Sequence, residues 1–315
     1  MVQAAYAERI GISIQGSSVA ELLATIQEAE QAGVCQIWMT QGPSSFDAPT
    51  LYAAALARTE RIRLGTSIVP ASPRHPLVFA QQALTLEGVA PGRFRLGIGS
   101  SHRPIMRSTY GDALPKPLAQ IREYLTVLRA ALWQGSVDFK GEFLEAHVAN
   151  FPQAHVPLLI SALGEEAYKL AGELSDGALA WNCPPSYLLE RALPALQAGA
   201  DSAGRPRPAL VAHSWIMLSD DIAAARAALR GTVQNYAHLP FYRNMFIQAG
   251  FPLQDDGSVS DGLIDALLVA GKPDQVAQRL KELLDSGFDE LLLSSVASND
   301  AKQRSQLFEL IGSLN

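Results

Sequence analysis

The chain is poor in the residues that commit a protein to an obvious chemistry. Its two cysteines, Cys35 and Cys183, stand far apart with no C-x-x-C pair and no histidine-rich run beside them, which argues against both a disulfide framework and a zinc site. Both read as packed or strand-end thiols, with a place lining a site as the alternative for Cys183. Positive charge is also scarce: 25 Lys and Arg face 31 Asp and Glu, a net charge of −6, so the chain lacks the basic face that a general nucleic-acid binder needs. No apolar run approaches the ~18 residues of a membrane span. The start, MVQAAYAERIGIS, has no basic stretch followed by an apolar core. A soluble, cytoplasmic protein with no membrane partner is expected. Low-complexity segments and linkers are missing too.

What is present is length and apolar content. With 315 residues, 48% of them hydrophobic and 18% charged, the chain can bury a large core. One domain over residues 1–315 is the expectation. Short apolar runs rich in β-branched residues alternate with helical patterns from end to end. IGISI (10–14) precedes a helix whose Val19, Leu22, Leu23 and Ile26 recur at helical spacing behind a Ser18 cap. QIWMT (36–40), RLGTSIV (63–69), RFRLGIG (93–99), PLLISA (157–162), GALAWNC (177–183), ALVAHSWIML (209–218) and DELLLSSV (289–296) complete eight strands. Eight strand–helix pairs favour a closed α/β architecture, a single (β/α)8 TIM barrel, over an open doubly wound sheet. Two stretches break the rhythm. Residues 134–156 read as a hairpin inserted after helix 4, and 231–257, with Tyr236, Phe241, Tyr242, Phe246 and Phe251, as an insertion after strand 7 that forms a lid or a subunit contact.

Barrel enzymes place their chemistry on loops after the C-terminal strand ends. Those corners carry Thr40 and Gln41 after strand two, Ser67, Arg74 and His75 after strand three, and Ser100, Ser101, His102, Arg103 and Arg107 after strand four. After strand five, the small-residue turn Ala162, Leu163, Gly164 leads into a helix, a ready anion site unless Glu165 and Glu166 simply satisfy the helix dipole. Gly97 and Gly99 in GIGSSH allow a sharp turn or close backbone approach. By itself that corner is consistent with a phosphate, a ring or an ordinary turn. His102 reads either as a proton donor or as a turn cap, and His213, inside a strand, as a packed residue.

Two segments carry a resemblance. GTSIVPASPRHPLVFAQQALTLEGVAPGRFRLGIGSSH (65–102) and VPLLISALGEEAYKLAGELSDGALAW (156–181) are similar to the luciferase-like monooxygenase superfamily, in particular its coenzyme F420-dependent oxidoreductase branch. The resemblance implies a (β/α)8 barrel with the redox ring across its C-terminal mouth. It implies a non-prolyl cis peptide in a bulge after strand three, mapped to Ser67 and Ile68. Thr40 and Gln41 would position ring and substrate, with Gln41 beside His102 in catalysis. Gly99, Ser100 and Ser101 would contact the cofactor, His102 would exchange a proton, and Ala162, Leu163 and Gly164 would hold the cofactor phosphate. Arg74, His75 and Arg103 join the cofactor-binding set, and Arg103, Arg107 and Lys116 would form a basic rim for an anionic tail. The Asp-His pair that some relatives carry after strand two is missing here, which argues against a sugar-phosphate dehydrogenase. The expected activity is hydride transfer between reduced F420 and a small-molecule substrate of carbonyl, enone or alcohol type. The alternatives are an FMN-dependent monooxygenase and a flavin- or deazaflavin-binding protein without catalysis. A homodimer is implied, since such relatives are commonly dimers.

Overall fold

The computed structural model describes residues 5–297 and 300–314. Eight parallel strands close into a barrel: β1 (Ile10–Ser13), β2 (Gln36–Met39), β3 (Arg63–Thr66), β5 (Phe94–Gly99), β8 (Leu158–Ala162), β9 (Gly177–Ala180), β10 (Ala209–Leu218) and β12 (Glu290–Ser295), with β12 pairing back onto β1. Helices α1 (Val19–Gln31), α2 (Ala48–Leu56) and α3 (Pro76–Val89) form the outer layer between the first four barrel strands. α4 (Arg103–Tyr110) and α5 (Pro117–Arg129) follow β5, and α6 (Glu165–Leu174) follows β8. After β9 come α7 (Pro185–Tyr187) and α8 (Leu193–Ser202), joined by a π turn, and the end is closed by α12 (Pro273–Asp285) and α13 (Ala301–Gly312). Caps fall where side-chain oxygens precede apolar periodicity. Ser18 accepts from the Glu21 amide at 3.1 Å, and Asp47 accepts from that of Thr50 at 3.0 Å.

Because all barrel strands are parallel, their C-terminal ends share one face. The barrel interior beneath that face is filled by Trp38, Leu159, Leu179, Val211 and Leu292, on which both Ile68 and Trp181 pack. These two residues therefore sit on one floor.

The expected barrel and hairpin are present. The hairpin pairs β6 (Val137–Lys140) with β7 (Glu145–Val148). The Glu123 carboxylate on α5 accepts the amides of Glu142, Phe143 and Leu144 at 2.7–3.0 Å, which fastens the hairpin turn. Three expectations need correction. The run 63–69 is two strands, β3 and β4 (Val69–Pro70), interrupted at Ser67–Ile68. The stretch after β5 is helical from Arg103, and only Met106 of α4 is buried, so no apolar stripe announces it. Residues 231–257 begin inside α9 (Ile222–Ala237) and continue through α10 (Pro240–Gln248). α11 (Asp261–Leu267) then leads directly into β11 (Leu268–Gly271), an unexpected strand beside the end of β10. Among the described residues no helix is long and apolar enough to cross a membrane.

Candidate active site

The corner after β3 is held from two sides. The Thr66 hydroxyl donates to the Gly97 carbonyl at 2.7 Å and accepts from the Gly97 amide at 2.8 Å, tying β3 to β5. The Ser67–Ile68 peptide is cis, as the resemblance implied. Its surroundings are satisfied by β2 and its loop: the Ser67 amide donates to Met39 at 2.8 Å, Thr40 Oγ1 donates to the Ser67 carbonyl at 2.7 Å, and the Gln41 amide donates to the Ile68 carbonyl at 3.1 Å. Ser67 Oγ is buried without a partner among the described residues.

The glycines of GIGSSH serve the barrel wall. A Cβ on Gly97 would overlap the Thr66 carbonyl oxygen and lie 2.6 Å from Leu179 Cδ1. On Gly99 it would overlap Ser161 Oγ and come within 3.1 Å of Ile68 Cγ1. Close approach is required here by neighbouring protein atoms, which explains both glycines without a ligand. Gly164 is the opposite case. It is the N-cap of α6, and nothing lies within 4 Å of a Cβ placed there. The turn is steadied from below, where Tyr187 Oη donates to the Leu163 carbonyl at 3.0 Å. Glu165 and Glu166, which could have occupied this helix end, pair with Arg191 and Lys169.

Several polar residues singled out in the sequence are held by partners within the fold. Gln41 Oε1 accepts the Ala48 amide at 3.0 Å, so its side chain caps α2. Arg74 forms an ion pair with Asp47 and lies 5.4 Å over the Phe79 ring. His75 Nδ1 accepts the Leu77 amide at 3.3 Å at the start of α3, and Nε2 lies 3.2 Å from the Glu145 carbonyl of the hairpin. Arg103 donates to the carbonyls of Leu114 and Pro115 at 2.9 and 3.0 Å, and Ser100 Oγ donates to the Pro117 carbonyl at 3.4 Å. Ser101 adopts a positive φ of 58°. Of the expected basic rim, Lys116 pairs with Glu142, and only Arg107 lacks a side-chain partner among the described residues.

His102 differs from these. It is half-buried at the start of α4, makes no side-chain capping bond, and has the rings of Tyr236 and Tyr242 at 6.1 and 6.0 Å. Burial lowers its pKa below the ordinary 6.5, so the imidazole is neutral at pH 7. Tyr236 in turn accepts a hydrogen bond from Trp181 Nε1 at 2.9 Å. Trp181 stacks on His213, whose Nε2 lies 3.0 Å from Ser294 Oγ. Burial pushes the His213 pKa down to about 3, in keeping with its reading as a packed barrel residue. Trp215 Nε1 donates to Asn182 Oδ1 at 2.6 Å. Indole only donates, so Asn182 must turn its oxygen toward Trp215, and its Nδ2 is left buried without an acceptor among the described residues. Burial raises the Cys183 thiol to about 12, which keeps it in the protonated form at neutral pH.

Tyr236, Tyr242, Asn182 and Trp215 were not among the expected site residues. The signal for Trp215 was present: β10 is ten residues long and places Trp215 close to His213 in a largely apolar run. The tyrosines gave none beyond the aromatic density of 231–257, because only folding brings α9 and α10 over β5.

A closed parallel barrel that gathers a backbone bulge, an open glycine turn and a neutral histidine on its C-terminal face has the layout of a barrel enzyme. The chain belongs to the luciferase-like monooxygenase family, which matches residues 4–290, and it is an oxidoreductase. It is 31% identical to the F420-dependent glucose-6-phosphate dehydrogenase of Beutenbergia cavernae over 304 residues, 89% of each chain. It is 26% identical to the 5,10-methylenetetrahydromethanopterin reductase of Methanolobus tindarius over 306 residues, 90% of this chain and 93% of that one. The fold is shared with a solved F420-dependent secondary alcohol dehydrogenase in complex with an F420-acetone adduct, at TM-score 0.80 and 21% identity over 98% of both chains. The family resemblance carried by residues 65–102 and 156–181 is borne out.

Proposed function

We propose that this enzyme uses coenzyme F420 to move a hydride to or from a small organic substrate of the carbonyl, enone or alcohol type. The observation that carries the reading is the arrangement of the Ser67–Ile68 bulge, the His102 imidazole and the Gly164 turn, which follow β3, β5 and β8 and so share one barrel face. The residues present fit such a cofactor: Ile68 is half-buried on the floor, Ser67 Oγ lacks a partner among the described residues, and Gly164 stands open at a helix N-terminus. Ser67 and Ile68 would support the ring, with Thr40 and Gln41 keeping their corner in place and Gly99 leaving room for Ile68 beneath it. Ala162, Leu163 and Gly164 would present backbone to the phosphate, and Arg107 would meet the remaining negative charge.

The bound deazaflavin supplies the two-electron chemistry, and the chain supplies binding, orientation and proton handling. Reduction of a carbonyl requires a proton at oxygen, and oxidation of an alcohol must remove one. His102 is the side chain suited to both. Held neutral at pH 7 by burial, it is ready to accept a proton in the oxidative direction and must first be protonated to donate in the reductive one. Gln41, whose amide caps α2, acts in this reading as a positioning residue.

The test is a titration of the purified protein with F420 and with FMN, followed by turnover of the tighter-binding cofactor with and without oxygen. Tighter F420 binding with oxygen-independent turnover is expected. Preference for FMN with an oxygen-dependent product would replace this reading with that of a monooxygenase. Retained binding without turnover would leave a binding protein.

A further inference from the structure

One half of the mouth, built by β9, β10, α9 and α10, is made of rings and neutral polar groups. Trp181 stacks on His213 with centroids 3.8 Å apart, Trp215 meets His213 edge-on at 5.2 Å, and Tyr236 and Tyr242 touch one another at 4.8 Å beside His102. Among the described residues, burial is what moves the pKa of both histidines, and no Lys, Arg, Asp or Glu acts on either tyrosine. A charged substituent brought against these rings would lose its water without gaining a counter-charge, a penalty that an uncharged molecule avoids. Flat aromatic faces also bury a ring of similar size at low entropic cost.

The same wall holds an unused donor. Trp181 Nε1 donates to Tyr236 Oη at 2.9 Å, which fixes the phenol as acceptor in that bond. Its own proton therefore remains free, and no acceptor for it is found among the described residues. The ring of His102 is its neighbour at 6.1 Å.

We propose that the substrate is an uncharged, ring-bearing ketone or secondary alcohol, and that the Tyr236 hydroxyl donates to its oxygen beside His102. The inference deepens the proposed function and rests on it for the redox step. In reduction the carbonyl carbon would gain the hydride, and with it the two electrons, that reduced F420 would supply; the π pair would move to oxygen, and that oxygen would take its proton from protonated His102. Oxidation of the alcohol is the reverse. Tyr236 is a specificity residue that keeps its proton throughout.

Ligand-observed saturation-transfer NMR on the purified protein, with and without F420, tests this directly. The probes are cyclohexanone and cyclohexanol, cyclohexanecarboxylate as a charged molecule on the same ring, and glucose 6-phosphate. Cyclohexanone or cyclohexanol should bind about 10-fold or more tightly than cyclohexanecarboxylate, given the desolvation penalty of the charge. Tyr236→Phe, which keeps the ring, should weaken cyclohexanone about 3- to 10-fold, the worth of one neutral hydrogen bond. Equal or tighter binding of the carboxylate or of glucose 6-phosphate, or absence of signal from both uncharged probes, overturns the substrate class. Unchanged cyclohexanone affinity in a folded Tyr236→Phe protein overturns the role of Tyr236, and the wild-type selectivity decides the class whatever the variant does. Failure of F420 to bind while this selectivity holds would count against the cofactor and not against the wall.

Discussion

The two flanks of the barrel mouth use polar atoms in opposite ways. On the β2–β5 flank, Gln41, Arg74, His75 and Arg103 each hold a helix start, a carboxylate or a loop carbonyl. On the flank of β9, β10 and α9, Tyr236 keeps a free proton and Asn182 an unpaired amide among the described residues, and His102 turns its ring toward this side. The difference separates residues that shape the mouth from residues left free to meet something in it. Residue type alone does not separate the two uses, since arginine and histidine at a loop are as useful for clamping as for chemistry.

The most severe way to break the comparison is at Gly97, where the flanks meet through Thr66 on one side and Leu179 on the other. Gly97→Ala should cost about 3 kcal/mol or more, because backbone cannot yield as a side chain does. Denaturant unfolding, or loss of soluble protein, reads this. His102→Ala should slow turnover about 10²-fold with cofactor affinity nearly unchanged. In the intact enzyme the acid limb of alcohol oxidation should lie below pH 6.5, because burial lowers the pKa of His102; a limb centred above 6.5 would assign the proton to another group.

His213 sharpens the comparison through stability. Its folded pKa near 3 lies below the ordinary 6.5, so between those values the unfolded chain binds a proton that the folded chain does not. Stability should therefore fall as pH drops from about 6.5 toward 3. In His213→Gln, urea midpoints measured across that range should decline less steeply. Gln41→Ala should cost about 1 kcal/mol through the lost cap on α2 while changing turnover only a few-fold. A 100-fold loss of turnover there would move Gln41 to the chemical flank. A smaller stability effect is expected at Gly164, where Gly164→Val meets open space at φ −95° and should lose only the N-cap preference of α6, below about 1 kcal/mol, with weakened cofactor binding as its main signature.

The barrel was legible because each strand is a short apolar run bounded by turn residues and each long helix carries a stripe. α4 escaped because a helix with one buried residue, Met106, has no stripe to show. β11 escaped because it follows α11 without a break, and in DALLVAG a helical apolar face and a buried strand look alike. At the site, the corners were legible but the duties were not. Arg74 meets Asp47 from 27 residues away and His75 meets Glu145 from 70. Whether a side chain caps or reacts depends on such partners, and local pattern holds no record of them.

β11 also protects the protein from its own copies. β10 runs for ten residues, but β9 stays with it only as far as Val211. Residues 215–218 would then offer a bare row of amides and carbonyls on which another chain could add a strand. Leu268–Gly271 lie along that row in register, Trp215 opposite Leu268 and Leu218 opposite Gly271. Four residues that pattern could not distinguish from a helix end thus cover the strand edge beside Trp215.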